Sequence, residues 1–172
     1  MRVLLTALLA LLILAAVGCK GEDQAKTENH ETTATAEAQK PATTPSEIQP
    51  SETDAPWIDH EAGFKYRDIT VGDGPEAVEG KQVGVHYTGW LWVNDAAGKM
   101  FDSSIPRNQP LAFQIGGGRM IAGFDQGVRG MKVGGKRQIL LPPEMAYGAQ
   151  GRPPVIPPNS TLMFEMDLVS VQ

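Results

Sequence analysis

Few side chains in this chain are placed where they could perform covalent or metal-dependent chemistry. Ser103, Ser104 and Ser160 lie outside any Gly-x-Ser-x-Gly turn, so the pattern does not favour a serine nucleophile. His60 and His86 are available as bases, but no His, Asp or Glu cluster has metal-ligand spacing. The single Cys excludes an intramolecular disulfide framework and a multi-thiolate metal site. We therefore expect no metal and no cofactor.

Two further features have structural interpretations. Gly116-Gly117-Gly118 lacks the Gly-Lys-Ser/Thr ending of a phosphate-binding loop, and predicts a strand-to-helix turn with unusual backbone angles. His86 stands in a strand pattern beside Tyr87, which favours a structural hydrogen bond over a role as a base. The formal net charge of −5 does not indicate nucleic-acid binding.

Aromatic side chains occur in separate segments, each on a core-directed phase or beside a turn. They are Tyr87, Phe101, Phe113, Phe124, Tyr147 and Phe164, accompanied by Met120, Ile121, Val155 and Ile156. Two interpretations stay open from the residues alone. These side chains either line one apolar cavity with few polar groups, of the kind that binds apolar ligands, or simply form the core.

The N-terminus has the pattern of an export signal. An apolar run from Val3 to Val17 follows Arg2 and ends in small residues, and its 15 positions are fewer than the ~20 that span a membrane. Ala16-Val17-Gly18-Cys19 resembles the lipobox of bacterial lipoproteins. We expect residues 1–18 to be a signal peptide and Cys19 to be lipidated, which places the protein in the cell envelope, at the outer membrane or periplasmic face. A plain signal peptide with an incidental cysteine is the alternative.

The next segment, residues 19–56, differs in composition. It is rich in Thr, Pro and Glu, contains eight acidic and three basic side chains, and has Ile48 as its only large apolar residue. Such a segment cannot bury enough apolar surface to offset its chain entropy. The composition predicts a disordered acidic tether up to residue 56.

Residues 57–172 have the size and aromatic content of one domain, and their pattern is mostly strand. Apolar residues at helical spacing predict one short helix over residues 120–128. Period-two alternation and short apolar runs predict strands over residues 64–71, 83–91, 111–115, 136–141 and 162–168. We expect an α+β fold in which an antiparallel sheet carries one amphipathic helix across its apolar face.

Five short strings, in order, resemble the FKBP-type peptidyl-prolyl isomerases. They are Val85-His86-Tyr87-Thr88-Gly89, Phe101-Asp102-Ser103-Ser104, Ile121-Ala122-Gly123-Phe124-Asp125-Gln126-Gly127-Val128, Ala146-Tyr147-Gly148-Ala149 and Ile156-Pro157-Pro158. The resemblance runs from about residue 64 to the C-terminus. It implies an antiparallel sheet of about five strands curled around one short helix, and an enzyme that accelerates isomerisation of X-Pro bonds in exported proteins without covalent catalysis.

The resemblance also implies a set of site residues. As catalytic residues it implies Tyr87, Asp102, Phe124, Tyr147 and Phe164. As substrate-binding residues it implies Phe101, Arg107, Leu111, Phe113, Met120, Ile121, Val155 and Ile156. By the same analogy, the Ile121 N–H and the Tyr147 hydroxyl donate hydrogen bonds to ligand carbonyls. This sequence departs from the animal pattern at Leu111, Arg119, Arg152 and Val155. Because these positions lie mainly at the rim of the implied pocket, we expect the departures to alter affinity and preference for the peptide sequence more than activity.

The implied partners are proline-containing polypeptide clients, the membrane through the N-terminal lipid, and macrolide inhibitors, with the protein a monomer. One alternative function is a non-catalytic prolyl-peptide binding module or chaperone tethered to the membrane. Another is a tethered adhesion protein, for which we expect Trp90 and Trp92, in the segment Trp90–Met100, to form an exposed contact surface.

Overall fold

The computed structural model describes residues 48–172, so the expected signal peptide, Cys19 and the tether up to residue 47 lie outside the described residues. None of the helices within residues 48–172 has the length and apolar composition of a membrane-spanning segment. The elements are β1 (Ile58–Asp59), β2 (Lys65–Thr70), β3 (Gln82–Val93), β4 (Ala96–Ser103), β5 (Leu111–Gln114), α1 (Ala122–Val128), β6 (Lys136–Leu141), a 3₁₀ turn (Pro143–Met145) and β7 (Leu162–Val171).

All strands join one antiparallel sheet in the order β1-β2-β6-β7-β3-β4, and β5 pairs with the first part of β3. Strand β3 is long enough to pair with β7 along one side and with β5 and then β4 along the other. The expected α+β fold, an antiparallel sheet with one short helix, is confirmed. The sheet has seven strands where the sequence predicts about five, because β1 and β4 are added.

Strand β4 follows β3 through a two-residue turn. Val93 pairs with Ala96, and the intervening Asn94 and Asp95 have φ angles of 51° and 60°. Two consecutive positive φ angles are typical of the type I′ turn, whose twist matches that of a β-hairpin. Asn and Asp tolerate this conformation better than other side chains do. The segment Trp90–Met100 is therefore a hairpin of the main sheet.

Helix α1 packs on the apolar face of the sheet and is shorter than the predicted 120–128. Ile121 has an extended conformation (φ −59°, ψ 144°) and precedes the first helical residue, Ala122. In the turn that leads there, Gly116 and Gly118 have φ angles of 77° and 68°, which confirms the predicted strand-to-helix turn. The buried core between helix and sheet includes Phe64, Val83, Val85, Phe113, Ile115, Phe124, Val128, Ile139, Leu141, Phe164, Met166 and Leu168.

The opposite, outer face of the sheet is covered by residues 48–57, which we call the docked segment. The Trp90 indole N–H donates to the Ile48 carbonyl (3.2 Å), and Arg67 lies 4.3 Å from the centre of the Trp57 ring. Trp90 is only 2% exposed, so the expectation that it forms an exposed surface is wrong. The predicted disordered tether also does not extend through residues 48–56, because these residues hydrogen-bond to the sheet.

A buried carboxylate holds the docked segment. Ser51 donates to Glu165 from its backbone N–H and from its hydroxyl, both at 2.8 Å, and its carbonyl accepts from Gln138 (2.9 Å). Burial alone would raise the pKa of Glu165, but hydrogen bonds from Gln138 and Ser51 and the charge of Lys136 outweigh it and lower that pKa. The carboxylate is therefore fully paired although its residue is only 8% exposed.

We predict that Ser51→Ala lowers the free energy of unfolding by about 1–2 kcal/mol, because it removes one hydrogen bond from a buried carboxylate. Urea denaturation measures the change. The neighbouring exposed Glu52 provides the control, since Glu52→Ala should change stability by less than about 0.5 kcal/mol. Equal stabilities of the native chain and Ser51→Ala would contradict a stabilising role for this contact.

Candidate functional site

A cavity of about 300 Å³ opens between α1, the sheet and the loop after the 3₁₀ turn. Its lining residues are Tyr87, Phe101, Asp102, Leu111, Arg119, Met120, Ile121, Phe124, Tyr147, Arg152 and Phe164. Nine of these are among the site residues that the sequence resemblance implies, and the structure brings them together. The cavity is thus an aromatic and aliphatic space with a few polar groups at its wall, the composition typical of small-ligand sites.

The floor of the cavity is the ring of Phe124, which α1 presents to the sheet. Its centroid lies 5.7 Å from that of Tyr87 and 5.3 Å from that of Phe164, with interplanar angles of 85° and 82°. Phe113 lies 5.9 Å away and is buried beside Phe124. Edge-to-face packing of this kind is the preferred aromatic geometry and fixes the ring orientations.

One side wall depends on a glycine in β3. Phe101 meets Phe164 edge to face at 5.4 Å, above Gly89. A Cβ at position 89 would stand 2.5 Å from the Phe101 ring and 2.9 Å from the Phe164 ring. A side chain there would displace both rings, so glycine is required where β3 crosses beneath them.

The polar wall is formed by three interacting groups. The Tyr87 hydroxyl donates to one Asp102 oxygen (2.5 Å), and Arg107 forms an ion pair with the other (3.2 Å). Burial raises the pKa of Tyr87 to about 12, aided by the hydrogen bond to Asp102 and its charge. Burial alone would raise the pKa of Asp102, but the hydrogen bonds from Tyr87 and Arg107 and the charge of Arg107 lower it. At neutral pH Asp102 is therefore ionised and Tyr87 is neutral.

Two donors expected to orient a ligand also lie at this cavity. Ile121 immediately precedes α1, and its N–H has no backbone acceptor among residues 48–172. Its carbonyl accepts from Phe124 and Asp125, which fixes its position at the cavity edge. Tyr147 lines the cavity from the loop after the 3₁₀ turn.

The remaining predicted residues lie next to this cavity. Val155 and Ile156 line a neighbouring cavity of about 290 Å³ that shares Phe101, Asp102 and Arg152 with the first. Phe113 supports the floor, and Arg107 reaches the wall through Asp102. The sequence resemblance singles out Arg119 and Arg152 as departures without including them in the site, yet both line the cavity.

His86 has the structural position that its strand pattern predicts. Its Nδ1 lies 3.0 Å from the Ser104 hydroxyl oxygen, which also accepts from the Tyr87 N–H (2.8 Å). The Ser104 hydroxyl therefore contacts both the His86 side chain and the Tyr87 backbone of β3, next to the cavity wall.

Among residues 48–172, no group of three His, Cys, Asp or Glu side chains is arranged to hold a metal ion.

Comparison with known proteins gives a consistent result. The family model for FKBP-type peptidyl-prolyl cis-trans isomerase matches residues 74–169. The chain belongs to this family. An FK506-binding protein of Neisseria meningitidis serogroup B is 50% identical over 109 residues, which cover 63% of this chain and 96% of that relative.

Solved structures of FKBP-type proteins also resemble this fold. The crystal structure of AtFKBP13 aligns with a TM-score of 0.61 at 39% identity and covers 68% of this chain and 99% of that one. FkpA from Escherichia coli aligns with a TM-score of 0.59 at 39% identity, covering 67% of this chain and 51% of FkpA. The FKBP family model covers residues 74–169, so the docked segment (residues 48–57) lies before its start.

The hydrogen bond from Tyr87 to Asp102 in this FKBP-type site leads to a testable prediction. In Tyr87→Phe the pKa of Asp102 should rise, because the carboxylate loses the hydroxyl that donates to its charged form. A ¹³C-detected NMR titration of the Asp102 carboxyl measures it. Tyr66→Phe, a change of the same kind on β2, should leave the Asp102 pKa unchanged. An unaltered pKa in Tyr87→Phe would contradict the assigned hydrogen bond.

Proposed function

We propose that this chain catalyses cis-trans isomerisation of X-Pro bonds in exported polypeptides by holding the prolyl ring in the aromatic cavity. The observation that carries the proposal is the Phe124 floor, enclosed edge to face by Tyr87 and Phe164 in a cavity of about 300 Å³. A prolyl ring is a small apolar group, and its burial against these rings provides binding without a covalent bond.

The reaction needs rotation about one bond and no bond cleavage. Amide resonance sets a barrier of ~18–20 kcal/mol, which makes uncatalysed exchange slow enough to limit folding. The planar amide is more polar than the twisted transition state, because twisting removes donation from nitrogen into the carbonyl. An apolar cavity therefore disfavours the planar form relative to the twisted one. Lowering the barrier by ~5 kcal/mol would accelerate exchange several-thousand-fold.

The polar groups orient the peptide in this proposal. The Ile121 N–H and the Tyr147 hydroxyl donate to peptide carbonyls on the two sides of the bond that rotates. Asp102 acts through its charge and by holding Tyr87 and Arg107 in place. It does not act as a general acid, because its lowered pKa keeps it ionised.

Exchange NMR on an Ala-Leu-Pro-Phe peptide tests the activity. We expect catalysed exchange by the native chain, and its loss in Phe124→Ala and Tyr147→Phe, which remove the floor and one donor. Asp102→Ala should lower kcat/KM at least tenfold, about 1.4 kcal/mol. Tyr66→Phe, at a residue on β2 that does not line the cavity, is the matched control and should keep native activity.

Circular dichroism must show that each variant is folded, since Phe124 is a core residue. If folded Asp102→Ala isomerised the peptide at the native rate, the assignment of Asp102 to the wall of the active cavity would be contradicted. Peptide binding without accelerated exchange by the native chain would favour the alternative function, a prolyl-peptide binding module or chaperone. A pocket-filling macrolide of the kind that inhibits FKBP-type enzymes should abolish both binding and exchange.

We also propose that the protein is an envelope lipoprotein anchored through Cys19. The support is the apolar run from Val3 to Val17 followed by Ala16-Val17-Gly18-Cys19, with the chain's single cysteine at the boundary. Diacylation or triacylation would provide stable anchoring, whereas a single chain would bind a membrane only marginally. Lys20 after the cysteine resembles outer-membrane sorting.

Metabolic labelling tests this anchor. Cells that export the native chain and grow on labelled palmitate should incorporate label into it, and the protein should sediment with membranes. Cys19→Ser should lose both properties because the acceptor sulfur is removed. A native chain without label, recovered in the soluble fraction, would contradict the lipid anchor and leave the isomerase proposal intact.

A further inference from the structure

Cations outnumber carboxylates at the opening of the cavity. Arg119 and Arg152 line it, and Arg152 also lines the neighbouring cavity. Asp102 is the one carboxylate among the residues lining either cavity, and it is already bonded to Tyr87 and Arg107. Among the lining residues, Arg119 and Arg152 therefore contribute two positive charges against the one negative charge of Asp102, which Arg107 already pairs from outside the lining.

The charge of Arg119 and Arg152 is not neutralised by neighbours in the described part of the chain. Within residues 48–172, no carboxylate oxygen lies within 4.0 Å of either guanidinium, and both side chains belong to exposed residues. Residues 57–172 carry 11 basic and 12 acidic side chains, so the positive excess is local to the cavity. Two exposed guanidinium groups at one opening make a surface that favours anionic ligands.

We propose that Arg119 and Arg152 make the cavity select prolyl peptides that carry a carboxylate side chain close to the X-Pro bond. This inference rests on the proposed isomerase function and defines its substrate class. Arg119 precedes Ile121 by two residues and Arg152 follows Tyr147 by five. Each arginine therefore shares a segment with one of the two groups that orient the peptide backbone. Glu or Asp flanking the proline can form ion pairs with planar guanidinium groups there.

The size of the preference follows from the exposure of these arginines. Solvent-exposed ion pairs contribute little individually, so two of them should give about a three- to tenfold preference. The preference should weaken with added salt, because the screening length falls from about 10 Å at 0.1 M to about 3 Å at 1 M. It should appear mainly in KM, because the charges hold the ground state and the transition state equally.

Exchange NMR on capped peptides measures this preference in the full chain. The peptides are N-acetylated and C-amidated and differ only in one residue, Glu, Gln or Lys, placed before the proline or two positions after it. Gln matches Glu in shape and lacks its charge. We expect kcat/KM for the Glu peptide to exceed that for the Gln peptide by about three- to tenfold at low salt in at least one position, with Lys below Gln. The ratio should approach one at high salt.

Two double variants separate ion pairing at Arg119 and Arg152 from the attraction of an anionic peptide to other cations of the chain. In Arg119→Gln/Arg152→Gln the ratio of Glu to Gln peptides should fall to about one, and the comparison within each variant cancels any change in basal rate. Lys81→Gln/Lys132→Gln removes two exposed cations that line neither cavity, and should keep the native ratio. Loss of the ratio in this control as well would overturn the assignment to Arg119 and Arg152.

The failure of this inference is distinguishable from that of the proposed function. A Glu-to-Gln ratio of one in the native chain at low salt, with both peptides isomerised, overturns the inference alone. If no peptide is isomerised, the proposed function fails. In that case the preference for Glu over Gln is measured from the dissociation constants of the two peptides by ¹⁵N chemical-shift titration. Equal dissociation constants for the Glu and Gln peptides would then overturn the inference as well.

Discussion

The edge-to-face contact of Phe124 with Phe164 and Tyr87 is the arrangement on which the site depends. A seven-residue helix cannot cover the whole apolar face of a seven-stranded sheet, so part of that face stays open to ligands. The rings of Phe101, Phe124 and Phe164 line this opening. Their mutual edge-to-face packing, with Gly89 leaving space for Phe101 and Phe164, keeps the cavity open.

The polar groups around this cavity have separate tasks. Tyr87 and Arg107 bind the two oxygens of Asp102 and lower its pKa, so the carboxylate at the wall is charged at neutral pH and has no proton to donate. In the proposed function, the Ile121 N–H and the Tyr147 hydroxyl donate to the bound peptide, and both residues line the cavity. A site of this kind can bind, orient and desolvate a peptide, which is sufficient for a reaction that only rotates a bond.

Period-two alternation in the sequence predicts β3 and β7, and short apolar runs predict β2, β5 and β6. Strand β4 was not predicted, since it begins with Ala96-Ala97-Gly98, residues with low β-propensity. The docked segment was missed for a different reason. It binds through Ser51, backbone groups and a buried Glu165, and polar contacts between distant residues leave no periodic pattern.

The grouping of aromatic residues around one cavity was predictable only through the family resemblance, because composition and spacing also allowed a simple core. The resemblance did not include Arg119 and Arg152 among the site residues, since they depart from the family pattern. Their position became evident once the loops before α1 and after the 3₁₀ turn were placed at the same opening.

The proposed mechanism is isomerisation by desolvation and orientation of the peptide, without proton transfer. Its most direct test is kcat/KM for a neutral prolyl peptide between pH 5 and 9, measured in H₂O and in D₂O. Because Asp102 is ionised and Tyr87 is neutral across this range, we expect a flat profile and equal rates in the two solvents. A rate that follows one titrating group within the range, together with a clear slowing in D₂O, would contradict it.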